Sequence, residues 1–182
     1  LDGAGNSLHF EQYCSRGAGN CGKSDIQMHI YGDSNNVRWG QGKTLSNASD
    51  ETFSLDSDEG GNHKLNLDIH GNNNSVAGFQ RNGAQNQYSG HTATLYIYAN
   101  DNSLWVKQEN DGAKTLNYIS RTDDNTGHIV QMGTGIHTST INLTGTYPST
   151  LNLLQDSSTN QSYTLTQNCV TVGGCSVTIT QE

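Results

Sequence analysis

The chain has little of what builds an ordinary globular core. Of its 182 residues only 31% are hydrophobic, 7% aromatic and 14% charged, against about 45–50% apolar and about 25% charged in typical domains. A wide oily interior is excluded, so the chain is either disordered or held by backbone hydrogen bonds and polar ladders. A single proline, Pro148, excludes a proline-rich linker. No apolar run approaches the roughly 20 residues that cross a bilayer, so no membrane span is expected. No basic stretch followed by an apolar one opens the chain, and Leu1 is not a start residue. That fits a removed secretion signal or a cytosolic protein. Lys and Arg number 9 against 17 Asp and Glu, for a net charge of -8, with no basic cluster among aromatics. Nucleic acid is not expected as a partner, because phosphates would be repelled.

Amides and glycine take the place of the missing apolar residues: 54 of the 182 residues are Gly, Asn or Gln. They recur in a pattern of small polar, apolar, any, apolar, any, Gln. It runs through Ser7–Gln12, Asn36–Gln41, Ser103–Gln108, Thr150–Gln155, Ser162–Gln167 and Ser176–Gln181. Looser copies end at Gln80 and Gln131, where Gly78 and Gly127 replace one apolar residue each. Alternation with a period of two means a strand with one buried face. No segment has a sustained helical period, so no significant helix is expected.

A second apolar segment precedes most copies at a fixed distance. Ile26, Met28 and Ile30 lead through Gly32 and Asn35 to Gln41. Leu65, Leu67 and Ile69 lead through Gly71 and Asn74 to Gln80, and Leu95 and Ile97 through Ala99 and Asn102 to Gln108. Leu116 and Tyr118 lead through Thr122 and Asn125 to Gln131, and Ile141, Leu143 and Gly145 lead to Gln155 with one extra residue. The unit is strand, turn, strand, turn, and Gly and Asn tolerate the backbone of such corners. One unit cannot bury its apolar face alone, but stacked units can. The expectation is an all-β solenoid of about six to seven coils forming two parallel sheets. It would be a single domain over residues 1–182, with insertions near 13–25 and 42–64. Equivalent residues then lie about 4.8 Å apart. Gln12, Gln41, Gln80, Gln108, Gln131, Gln155 and Gln181 would form one ladder, and Asn6, Asn35, Asn74, Asn102 and Asn125 a second.

At this point the chain resembles a known family. Leu65–Gln80 matches the curlin repeat of bacterial curli amyloid fibres at every fixed position but one, Ile69, where curlin repeats usually place Gln. That slot holds Ile30, Ile97 and Ser120 in other coils, and Gln only as Gln167. The resemblance covers the chain outside roughly 42–64. It implies a secreted, self-assembling subunit of an extracellular biofilm fibre that mediates adhesion and matrix cohesion. Its partners would be further copies of itself, a nucleator subunit and outer-membrane secretion machinery.

The cysteines form two close pairs, Cys14 with Cys21 and Cys169 with Cys175, each bracketing a short turn in a terminal coil. Neither spacing suits zinc. Two local disulfides in an oxidising compartment are expected; bridges between subunits and free thiols are the alternatives. Both terminal strands lack a charged or proline-bearing cap, and open edges invite stacking. Leu8, Phe10 and Gln12 of one copy would then meet Val177, Ile179 and Gln181 of the next, giving a heterologous, non-closing polymer.

Candidates for other chemistry are fewer. His63, His91 and His137 each stand two residues before a first strand, where stacked imidazoles could bind a metal or sense pH. The acidic run Asp50, Glu51, Asp56, Asp58 and Glu59 reads as a solvated loop rather than a Ca²⁺ site. No nucleophile, zinc or nucleotide motif is present, so neither an enzyme nor a cofactor is expected. The competing class is a monomeric solenoid adhesin or ligand-binding module, such as an ice binder with outward Thr164, Thr166, Thr178 and Thr180.

Overall fold

The computed structural model describes residues 1–13, 25–42, 45–49, 52–53, 62–82 and 90–182. The period-two segments form β1 (Ser7–Gln12), β2 (Asn36–Gln41), β3 (Ser75–Arg81), β4 (Ser103–Glu109) and β5 (Lys114–Thr115). These are followed by β6 (Thr126–Gly127), β7 (His137–Gly145), β8 (Ser149–Gln155), β9 (Gln161–Cys169) and β10 (Cys175–Gln181). Among the described residues there is no helix at all, and hence none that could cross a membrane. One parallel sheet takes the order β1-β2-β3-β4-β6-β8-β10, and a second takes β5-β7-β9. The chain climbs a β-solenoid of about six turns.

Register follows the repeat. Leu8 pairs with Val37, Phe10 with Trp39 and Gln12 with Gln41, and Gln80 pairs with Gln108. Equal letters therefore stack. The inward residues of both sheets close one core containing Val37, Trp39, Leu65, Leu67, Val76, Leu95, Leu104, Tyr118, Ile141 and Leu151. At the corners, Gly32 has φ +126°, and a Cβ there would lie 2.1 Å from the Gly71 carbonyl oxygen. Only glycine fits that approach.

The second sheet is less regular than the repeat suggests. Toward the N-terminal end single bridges continue it, from Thr115 to Thr92, Lys64 and Asp25. The segments Leu67–His70 and Leu95–Tyr98 have positive φ at every residue. Consecutive left-handed residues do not alternate N–H and C=O as a pleated strand does, so the ladder thins. Leu67, Ile69, Leu95 and Ile97 nevertheless remain fully buried. β6 is short where Gly127 interrupts the alternation, as glycine weakens a strand interior.

Part of the long insertion packs on the outer face of the seven-stranded sheet. Leu45 and Phe53 bury against Ala77 and Phe79 in a second, smaller core. Phe53 also meets His9 of β1 edge to face, ring centroids 5.1 Å apart, and Arg38 donates to the Ala48 carbonyl.

Candidate assembly site

The glutamine ladder forms through all seven residues, and it has a direction. Gln12 Nε2 donates to Gln41 Oε1 at 2.8 Å, Gln41 to Gln80 at 3.0 Å and Gln80 to Gln108 at 2.8 Å. Gln108 donates to Gln131 and Gln131 to Gln155, both at 2.9 Å, and Gln155 to Gln181 at 2.8 Å. Inner members also donate to a first-strand carbonyl, as Gln108 does to Thr92 at 2.9 Å. Each buried amide thus ties its own coil to the next.

The asparagine ladder runs the opposite way. The backbone N–H of Asn35 donates to Asn6 Oδ1 at 2.9 Å, Asn74 to Asn35 at 3.0 Å and Asn102 to Asn74 at 3.1 Å. Asn125 donates to Asn102 at 2.9 Å, and Ser149 to Asn125 at 2.7 Å. The side-chain nitrogens clamp the turn, as Asn74 Nδ2 does on the Ala99 carbonyl at 2.8 Å. In the last coil this clamp is covalent. Cys169 pairs in register with Gly145, and Cys175 with Ser149, so the two cysteines occupy the corner and asparagine slots. They form a disulfide, with Cα atoms 5.8 Å apart. Cys14, Cys21 and the acidic run fall outside the described residues.

A third ladder escaped the repeat. Ala4 N–H donates to Asp33 Oδ1 at 2.6 Å, Asp33 to Asn72 at 2.7 Å, Asn72 to Asn100 at 2.9 Å and Asn100 to Asp123 at 2.7 Å. The signal was a small polar letter after each corner residue. It switches between Asp and Asn, so it does not repeat as one letter.

The predicted contact residues lie at opposite ends of the stack, because β1 and β10 are the terminal strands of the long sheet. Leu8, Phe10, Ile26 and Met28 at one end, and Leu165, Val177 and Ile179 at the other, are only partly buried. Their equivalents inside the stack, such as Val37, Trp39 and Ile141, are 0% exposed. Phe10, Gln12, Asp25, Ile26 and Met28 line an open recess of about 470 Å³. Among the described residues, the Gln12 carbonyl is the unmatched acceptor of its ladder and the Gln181 amide the unmatched donor.

The histidines do not gather as metal ligands. His63, His91, Lys114 and His137 line one fully buried column. The backbone N–H of His91 donates to His63 Nδ1 at 3.2 Å, and the backbone N–H of Lys114 to His91 Nδ1 at 3.1 Å. His91 Nε2 lies 2.9 Å from the Arg81 carbonyl, so that ring is a neutral tautomer with both nitrogens engaged. Burial, then His63 and Lys114, hold its pKa well below the usual histidine value. Burial and Lys114 lower His137 in the same direction. The Lys114 ammonium donates to the carbonyls of Asp111, Gly112, Gly133 and Gly135 at 2.7–3.0 Å. Burial brings its pKa down to about 8, which leaves it charged at neutral pH.

Compared with known proteins, the chain matches no family model, no curated protein and no solved structure.

Proposed function

We propose that this chain is the subunit of a secreted structural polymer, stacking head to tail into an extracellular matrix fibre of the kind curlin repeats build. The observation that carries the reading is the complementarity of the two ends. One presents half-buried Leu8 and Phe10 and an unmatched amide acceptor; the other presents half-buried Val177 and Ile179 and an unmatched donor. Stacking β10 of one copy on β1 of the next continues the long sheet, the core and the glutamine ladder in a single sense. The contact is heterologous and does not close, so it propagates. The Cys169–Cys175 disulfide supports an oxidising, extracellular setting. The role is structural rather than enzymatic, and a nucleating subunit and an outer-membrane secretion apparatus belong to the same proposal.

Electron microscopy of the purified chain over several days, alone and as Leu8→Pro and Val177→Pro, tests the reading. Proline at a terminal strand removes a ladder donor while sparing the central coils. Unbranched filaments from the parent chain, and folded monomers from both variants, are expected. A persistent monomer would favour the solitary adhesin. Normal filaments from both variants would place the contact elsewhere.

A further inference from the structure

The outer face of the long sheet departs from the pattern of a solvated sheet. Outward slots of β7, β9 and β10 hold Thr, Ser and Asn, as expected of a face in water. On β3, β4, β8 and residues 128–132 they hold Phe79, Trp105, Val130, Met132 and Leu154 beside Arg81, Lys107, Glu109 and His128. Leu45 and Phe53 cover one end of this band, and the remainder is an open groove of about 560 Å³. It crosses β3, β4, residues 128–132 and β8, about 14 Å along the stack. Phe79 and Val130 are buried beneath the band, while Trp105, Met132 and Leu154 stay partly exposed, and partly exposed apolar residues gathered in one groove mark a contact site.

We propose that this groove binds a segment of an acidic polysaccharide, with a sugar ring against Trp105 and its carboxylate toward Lys107. This rests on the extracellular placement proposed above. Three features select that ligand. Strands in the middle of a sheet have their backbone groups paired, so recognition must come from side chains and not from an added peptide strand. Trp105 is half-buried and set edge to face on Phe79, ring centroids 6.2 Å apart, which holds it still for stacking. Lys107 sits 5.9 Å over the Phe79 ring and 2.5 Å from Glu109, which also binds Arg81. In a chain of net charge -8, the described groove lining holds two cations, Arg81 and Lys107, against one carboxylate, Glu109. That is a local inversion of sign that suits an anionic chain.

The test is calorimetric titration of freshly purified, unpolymerised protein with a short oligogalacturonide and with a neutral gluco-oligosaccharide of equal length. Trp105→Ala and Lys107→Glu are compared with the parent, their folding checked by thermal melting. Saturable binding of the uronide is expected, weaker by about tenfold or more for the neutral sugar and for each variant. Lys107→Glu lies on the surface and keeps the fold even if Trp105→Ala does not. No saturable binding, equal binding of the neutral sugar, or unchanged binding by Lys107→Glu would overturn the proposal. So would a variant that altered only association between copies. Leu8→Pro, which disables stacking, is expected to bind the uronide normally, so failure of assembly and failure of this site are read separately.

Discussion

Trp39 lies against Gly78 of the next coil, so close that a Cβ on the glycine would stand 2.5 Å from Trp39 Cζ3. Trp39 is fully buried and the largest such side chain in the core. The apolar slot that Gly78 leaves empty is the one the indole fills. Gly127 serves Leu104 in the same way, with Cδ1 2.6 Å from its notional Cβ. The two imperfect repeats are thus packing complements of large neighbours, not degenerate copies.

Gly78→Val is accordingly expected to destabilise the fold by about 1–3 kcal/mol through overpacking. Trp39→Leu in the same chain is expected to recover only part of that loss, since the Val106 carbonyl also lies 2.6 Å from the new Cβ. A double-mutant cycle from denaturant midpoints measures the coupling. Strict additivity would mean the two residues do not share the space.

Position along the glutamine ladder sets the cost of breaking it. Gln108 accepts from Gln80 and donates to both Gln131 and Thr92. Gln108→Leu leaves buried partners unmatched and is expected to cost about 2 kcal/mol or more. Gln12→Leu in the monomer, at an exposed end with one ladder bond, is expected to cost well under half of that. Equal losses in urea titrations would show that the ladder is not the source of the stability.

How much of this could be read beforehand depends on what each residue leaves in the letters. Leu104 and Val106 announce an inward face by alternation, and the even spacing of Gln108 and Gln131 announces a ladder. Leu45 and Phe53 carry no period, and their packing on the outer face is a tertiary contact between an insertion and a sheet. Lys114 stands in the slot that His63, His91 and His137 hold in other coils, yet lysine is almost never buried without partners. Its burial rests on four carbonyls brought together by two separate turns, and no local pattern encodes them. The left-handed backbone of Leu67–His70 was equally hidden, because its apolar alternation is that of a strand.

The disulfide stands where other coils use an amide clamp, and its loop is short. Reducing Cys169–Cys175, or replacing both residues with Ser, is expected to lower stability by about 2 kcal/mol by the loop-entropy relation. The loss should appear as an early, local opening of the last coil, because Val177 and Ile179 have core neighbours on one side only. Hydrogen exchange resolved by peptide is the measurement. Faster exchange confined to β9 and β10 is the expected result, and uniform acceleration along the stack would contradict a local clamp.

The buried basic column makes stability depend on pH with a definite sign. His91 and His137 have folded-state pKa values below the ordinary 6.5, chiefly through burial. In the unfolded chain they take up protons as the pH falls through about 6.5, while in the fold they resist until lower pH. Between those limits the unfolded state binds more protons, so stability is full above about pH 6.5 and is lost as the pH falls. Lys114 acts in the same sense in a higher window. Its folded value of about 8 lies below the ordinary 10.5, so stability drops as the pH falls from 10.5 to 8 and is level below. The groups facing the histidines are His63 and Lys114, with Asp156 raising the His137 value only in part. Denaturant midpoints at about pH 5, 6 and 7 are therefore expected to decline with acid. His91→Gln and His137→Gln are each expected to flatten that decline, because an amide in the same slot has no proton to gain. If both buried-site variants tracked the parent across this range, the column would not be the source of the acid sensitivity.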